Sequence, residues 1–247
     1  EIMAFEAVYM HGFVNDSLGR KMSKSLKNII SPYEIIDRYG ADTMRYYMIG
    51  AAKPGLDMNY NFDDMKTKFR NLSVLWNIHK FVLDYADTLE SCDTKLSGKK
   101  LAVEEKYILS RLNSTIMKVT EMYENYLLNE VPGEIESLFL ELSRCYMQTV
   151  REKSVSGSED ERQAVFAVIY NVLLETIKMF STVAPFISEH IYLNLRARFG
   201  LKPASVALQS WPEAGKKSVD EELEKNMGIM QEILQAALCA REAAQLG

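Results

Sequence analysis

From Asp63 onward the apolar residues return at intervals of three and four. Met65, Phe69, Leu72, Leu75, Trp76, His79 and Val82 trace one stripe, and Tyr107, Ile108, Leu112, Ile116, Val119, Tyr123 and Tyr126 a second. Pro132-Gly133 breaks the pattern before Ile135, Leu138, Phe139, Leu142, Tyr146 and Val150. Val165, Phe166, Ile169, Val172, Leu173, Ile177 and Phe180 resume it, and Pro185 restarts it into Ile187, Ile191 and Leu195. This is the period of amphipathic α-helices, and helices with one apolar face each predict an antiparallel bundle. Ser154–Asp160 reads as a plain loop. Residues 200–217 read as irregular, with one short apolar turn around Val206–Trp211, and Val219–Leu246 as a last amphipathic helix.

The first 62 residues are patterned differently. Ala7-Val8-Tyr9-Met10 followed by His11-Gly12-Phe13-Val14 reads as the tail of a strand. Ser31-Pro32 predicts a helix start and Gly40 its stop. Asp42 is placed to cap a further helix carrying Met44, Tyr47 and Met48, ended by Lys53-Pro54-Gly55. Residues 56–62 alternate apolar and polar side chains, which predicts a strand with one buried face. A polar connector runs from about Asp87 to Lys100.

Composition narrows the class without naming a chemistry. Of 247 residues 47% are hydrophobic and 26% charged, the balance of a globular chain, and no apolar run free of charged or amide residues approaches membrane-spanning length. The net charge of −5 argues against a protein that coats nucleic acid over its whole surface, though not against one basic face. Cys92, Cys145 and Cys239 are far apart and form no Cys-x-x-Cys pair, so free thiols are expected. His11, His79 and His190 are equally scattered, and no metal site is expected. The chain begins at Glu1 without an initiator Met, which reads as a segment of something longer.

The chemistry is concentrated in Gly19-Arg20-Lys21-Met22-Ser23-Lys24-Ser25-Leu26-Lys27-Asn28. Two lysines flank two small hydroxyl residues behind a turn-forming glycine, which suits a loop that closes over a polyphosphate. Ammonium groups supply charge, and hydroxyls and backbone amides supply donors.

The order Lys-Met-Ser-Lys-Ser resembles the second signature of class I aminoacyl-tRNA synthetases. With Met10-His11-Gly12-Phe13-Val14, the run Ile36-Asp37-Arg38-Tyr39-Gly40-Ala41-Asp42 and Arg45, and Lys53-Pro54-Gly55-Leu56-Asp57-Met58-Asn59, the chain resembles the isoleucyl-tRNA synthetases, particularly the archaeal and eukaryotic type. Tyr107–Asn113, Leu142-Ser143-Arg144, Ala184–Glu189 and Ser210-Trp211-Pro212-Glu213 extend the likeness along the chain. The valyl, leucyl and methionyl enzymes share many of these features. A non-catalytic tRNA-binding helical module that has kept the loop is the reading of a different class.

The resemblance implies a mainly α chain of three parts. Residues 1–62 would hold the end of a Rossmann-like catalytic domain and a small stem-contact region, 63–217 an anticodon-binding bundle, and 218–247 a helix leading into a further region. It implies ATP-dependent attachment of isoleucine to tRNA(Ile) through an aminoacyl-adenylate, with Mg2+ in the complete enzyme, in the cytoplasm. Lys24 would be the main phosphate ligand and Lys21 its supporting cation, Ser23 and Ser25 phosphate or loop donors, and Met22 an apolar anchor. Arg144, Gln148 and Arg151, spaced at four and three, would share one tRNA-binding face, joined by Lys66 and Arg70; Arg111 and Trp76 are weaker candidates. The family's first signature, His-x-Gly-His, is absent, so the chain alone is expected neither to activate isoleucine nor to edit. Two positions depart from the family: Lys27 stands where glycine is usual and would allow positive φ, and Cys145 where tryptophan is frequent.

Overall fold

The computed structural model describes residues 8–215 and 218–245. Ala7, Lys217 and Leu246, which bound three of the expectations above, lie outside the described residues.

Two short strands, β1 (Val14–Asn15) and β2 (Met58–Asn59), pair in parallel, with Val14 opposite Met58. The expected strand tail at Val8–Met10 is instead exposed, irregular chain, and pairing begins only at Val14. Gly12 permits that approach: a Cβ there would lie 2.2 Å from the Leu56 carbonyl oxygen. Between the strands stand α1 (Pro32–Tyr39) and α2 (Ala41–Gly50), separated by Gly40 at φ 84°. These elements enclose a small core of Ile35, Tyr47, Met58, Tyr60 and Met65.

The remainder is helical: α3 (Phe62–Ala86), α4 (Val103–Glu124), α5 (Val131–Glu141), α6 (Met147–Thr149), α7 (Arg151–Ser156), α8 (Glu159–Phe180), α9 (Pro185–Phe199) and α10 (Glu221–Ala243). Local chemistry sets their starts. The Asn61 side chain accepts from the Asp63 and Asp64 amides at the head of α3. Ser158 and Glu161 form a reciprocal capping box on α8. Helix α8 is long and apolar enough to cross a membrane by composition, but it is the buried axis of the bundle. Around it the large core of this helix bundle closes over Phe139, Phe166 and Phe180.

Three differences from the sequence reading lie within the bundle. Ser154–Ser156 are helical within α7, where the Ser154 and Gly157 amides donate to the Val150 and Lys153 carbonyls at 2.8 and 3.0 Å, and Glu159–Asp160 already belong to α8. The helix predicted through 135–150 is interrupted by a π-helical turn, Leu142–Tyr146. Among the described residues α10 buries none of its side chains, and Ile233 and Leu234 stand 65% and 57% exposed.

Helix α2 joins the two cores. Tyr47 packs into the small core, while Tyr46, one residue earlier, is fully buried in the large one, edge-on to Phe180 at 5.1 Å. The Tyr46 hydroxyl donates to Glu136, which also pairs with Lys68 at 2.5 Å. Asp42 does not cap its own helix, whose N-cap is Gly40. Its carboxylate instead accepts from the Phe186 and Ile187 amides (3.3 and 2.6 Å), supplying the cap that Ala184 cannot give α9. Burial raises the Asp42 pKa against those amide bonds. Arg45, one turn on, donates to the Val183 and Thr182 carbonyls at 3.0 and 3.2 Å. One helical turn of α2 therefore grips the α8–α9 turn by its amides and by its carbonyls.

Candidate functional site

The lysine loop leaves β1 through a tight reversal. Asp16 and Arg20 close it by a backbone bond of 2.9 Å, with Gly19 at φ 76°, and Asn15 bridges Lys21 across it. Asp16 is the root. Its carboxylate accepts from the Leu18 and Arg20 amides, from Arg20 Nε and from Asn28 Nδ2, at 2.8–3.0 Å. The Asn28 amide, followed by the Arg20 backbone amide, holds this carboxyl well below the usual carboxylate range. Asn28 also accepts from the Ser23 amide at 2.8 Å and donates to the Lys21 carbonyl at 3.3 Å. One carboxylate and one amide thus tie both ends of the loop to each other.

Within that frame Ser23 Oγ accepts from the Leu26 amide and lies 3.1 Å from Ser25 Oγ, so both hydroxyls shape the turn. Met22 packs against the small core, the anchoring contact anticipated for it. Lys21 Nζ rests 4.9 Å from the centroid of the exposed Phe13 ring. Lys24 and Lys27 project outward. Lys27 stands at φ 51°, the left-handed backbone for which glycine is suited, and its amide donates to the Lys24 carbonyl at 3.2 Å.

The second feature is a groove of ≈ 610 Å³ between α10 and the π-helical turn. Arg144 and Gln148 line it; Arg151, Lys66 and Arg70 do not. The π-turn and the break at Val150, which has φ −91° and ψ 8°, shift the angular phase, so spacings of four and three no longer give one shared face. Lys66 pairs with Asp63 at 3.0 Å and Arg70 donates to Thr67, both on the exposed side of α3. Trp76 is half-buried against the large core.

Polar contacts hold α10 over the groove. Glu224 accepts from Ser110 and Ser114 at 2.5 and 2.7 Å, and Arg111 lies 3.3 Å from Glu224 and 3.0 Å from Glu141. With both carboxylates on it, the Arg111 charge is already satisfied. Gln231 donates to Tyr107 and to Cys145 Sγ, each at 3.0 Å. Burial, with Glu141 nearby, pushes the Cys145 thiol up, so it sits there as a neutral acceptor. The sequence reading missed Asp16 at the loop root and Glu224 and Gln231 at the groove. Asp16 three residues before Gly19 was a legible turn signal; the α10 residues carried no local one.

The class I tRNA synthetases (I, L, M and V) match residues 2–61. The isoleucine–tRNA ligase of Methanopyrus kandleri is 36% identical over 97% of this chain, and that of Methanosarcina acetivorans 37% over 97%. The chain spans 23% of the length of each of these relatives. The crystal structure of the ternary complex of Agrobacterium radiobacter K84 agnB2 LeuRS with tRNA and LeuAMS has the same fold. It gives a TM-score of 0.66 at 23% identity, over 85% of this chain and 24% of that one. The anticodon-binding domain of tRNA ligases matches residues 105–247, more than half of the sequence, and the chain belongs to that family.

Proposed function

We propose that this chain is the part of an isoleucine–tRNA ligase that brings the lysine loop to ATP and the anticodon-binding bundle to tRNA(Ile), in the cytoplasm. The observation that carries the reading is the mounting of the two features. The loop is anchored through Met22 in a core that shares α2 with the bundle bearing the groove.

In the complete enzyme ATP and isoleucine form an aminoacyl-adenylate, and negative charge builds on the leaving pyrophosphate. Cations that meet it only as the charge develops lower the barrier rather than merely the substrate's energy. Lys24 faces solvent and is the main phosphate ligand. Lys21 leaves Phe13 to join it, while Ser23 and Ser25 hold the turn or donate to phosphate oxygens. Removing one such lysine costs roughly 10²–10³ in rate. Mg2+ arrives with the nucleotide: the loop offers cations and hydroxyls rather than a carboxylate set, and among the described residues no three His, Cys, Asp or Glu converge.

On the bundle, Arg144 and Gln148 present a charge and an amide at the edge of the groove, suited to a splayed single-stranded base and its phosphate. Arg151, Lys66 and Arg70 act as outlying phosphate contacts. The test is binding of isoleucine, valine and methionine tRNA transcripts across a salt series. Preference for the isoleucine transcript, weakened by Arg144→Ala/Gln148→Ala, supports the reading. Equal, salt-sensitive binding to all three, unmoved by those changes, removes the anticodon assignment and leaves a helical module with general affinity for RNA.

A further inference from the structure

We propose that Lys27 is a third phosphate-binding cation of the loop, acting beside Lys24 on the pyrophosphate portion of ATP. The inference rests on the phosphate-loop reading above and deepens it. It starts from a residue that costs the resting loop in two ways. Lys27 is one of three non-glycine residues with positive φ among those described, at 51°, and a β-carbon in that region crowds its own backbone where glycine would not. It also sits at the far end of a turn from a second lysine. The Lys27 amide donates to the Lys24 carbonyl at 3.2 Å, which holds the two α-carbons within about 7 Å of each other.

Nothing in the loop offsets that pair of like charges. Its one carboxylate, Asp16, is taken by Arg20 at 2.8 Å and by the Asn28 side chain. Lys21 is placed over Phe13. Among the described residues no ion pair involves Lys24 or Lys27, both of which are exposed. The next residue, Asn28, is fixed by its bonds to Ser23, Asp16 and Lys21, so the backbone cannot turn Lys27 away without breaking the frame of the loop. Two uncompensated lysines at the two ends of one hydrogen-bonded turn are what a polyanion with charge on neighbouring phosphates would bridge. Binding it removes the repulsion between them and sets ordered oxygens against the strained turn.

The experiment is calorimetric titration of the 247-residue chain with inorganic pyrophosphate at several salt concentrations, with thermal melts to verify that each variant is folded. Lys27→Asn removes the charge but keeps a residue that tolerates left-handed backbone. Lys27→Gly removes charge and strain together, Lys27→Arg keeps the charge, and Lys24→Gln controls for the loop. The expected result is roughly fivefold weaker binding for Lys27→Asn and Lys27→Gly, with a shallower salt dependence, and near-native binding for Lys27→Arg. If Lys24→Gln weakens binding while Lys27→Asn and Lys27→Gly bind as tightly as the native chain, Lys27 has no phosphate role and this inference fails alone. If the native chain does not bind pyrophosphate, or Lys24→Gln leaves binding unchanged, the phosphate-loop reading fails and takes the inference with it.

Discussion

The root of the lysine loop is tied by residues close in sequence: Asn28 reaches Asp16 across 12 positions and Ser23 across 5. The groove is tied by residues that meet only after the bundle has folded: Gln231 reaches Tyr107 across 124 positions and Cys145 across 86, and Arg111 reaches Glu224 across 113. The loop therefore keeps its shape through its own side chains and amides, whereas the groove inherits its shape from helix packing. A lesion in the bundle core should destroy the groove, while a lesion in the loop should leave the bundle intact.

The strongest way to break that contrast is Phe139→Ala. Phe139 is fully buried and meets Phe180 edge-to-face at 5.7 Å. Its truncation should cost about 3–5 kcal/mol and lower Tm by roughly 10 °C in a thermal melt. Smaller, and aimed at the joint between the regions, is Asp42→Ala. Losing the acceptor for two α9 amides should cost about 1–2 kcal/mol, with hydrogen exchange accelerating first at Phe186 and Ile187. Asn28→Ala should be smaller still and confined to the loop. Exchange at the Ser23 amide should rise roughly fivefold with Tm unchanged, and a fall in Tm would mean that the loop supports the bundle after all.

The last prediction separates the regions by pH. His79 is buried, and burial, followed by the nearby His190, lowers its pKa below the usual histidine value. As pH falls below about 6.5 the unfolded chain takes up a proton that the folded chain resists, so this part of the bundle's stability is lost on acidification and restored above it. Glu136 and Glu141, which burial pushes up to about 7, act in the opposite sense over the same range, so the test is a difference: the Tm of the native chain relative to His79→Gln should fall as pH goes from 8 to 5.5. Asp16 has the opposite partners: its folded pKa is depressed, so its contribution is complete above about pH 4 and is lost only as pH falls through the depressed value.

What could be read from the sequence follows the same division. Ser31-Pro32 and Gly40 bracket α1 as expected, and the lysine in place of glycine at position 27 is found with positive φ, because each depends on near neighbours. The π-turn was hidden because Leu-Ser-Arg-Cys-Tyr has an ordinary helical period and only packing reveals the extra residue. Asp42 looked like the cap of its own helix because its true partners lie about 145 positions away. In α10 the apolar spacing was legible, but spacing says which residues share a face and not whether anything covers it.

The shared position of α2 also bears on how the molecule can be cut. Severing the chain just before α3 would leave the Glu136 carboxylate without Tyr46, and the Thr182 and Val183 carbonyls without Arg45. The first amides of α9 would lose Asp42 as well. It would also open the slot beside Phe180 that Tyr46 fills. A recombinant bundle meant to be soluble and fully folded should therefore begin no later than Gly40, although α3, the first of the long bundle helices, starts at Phe62.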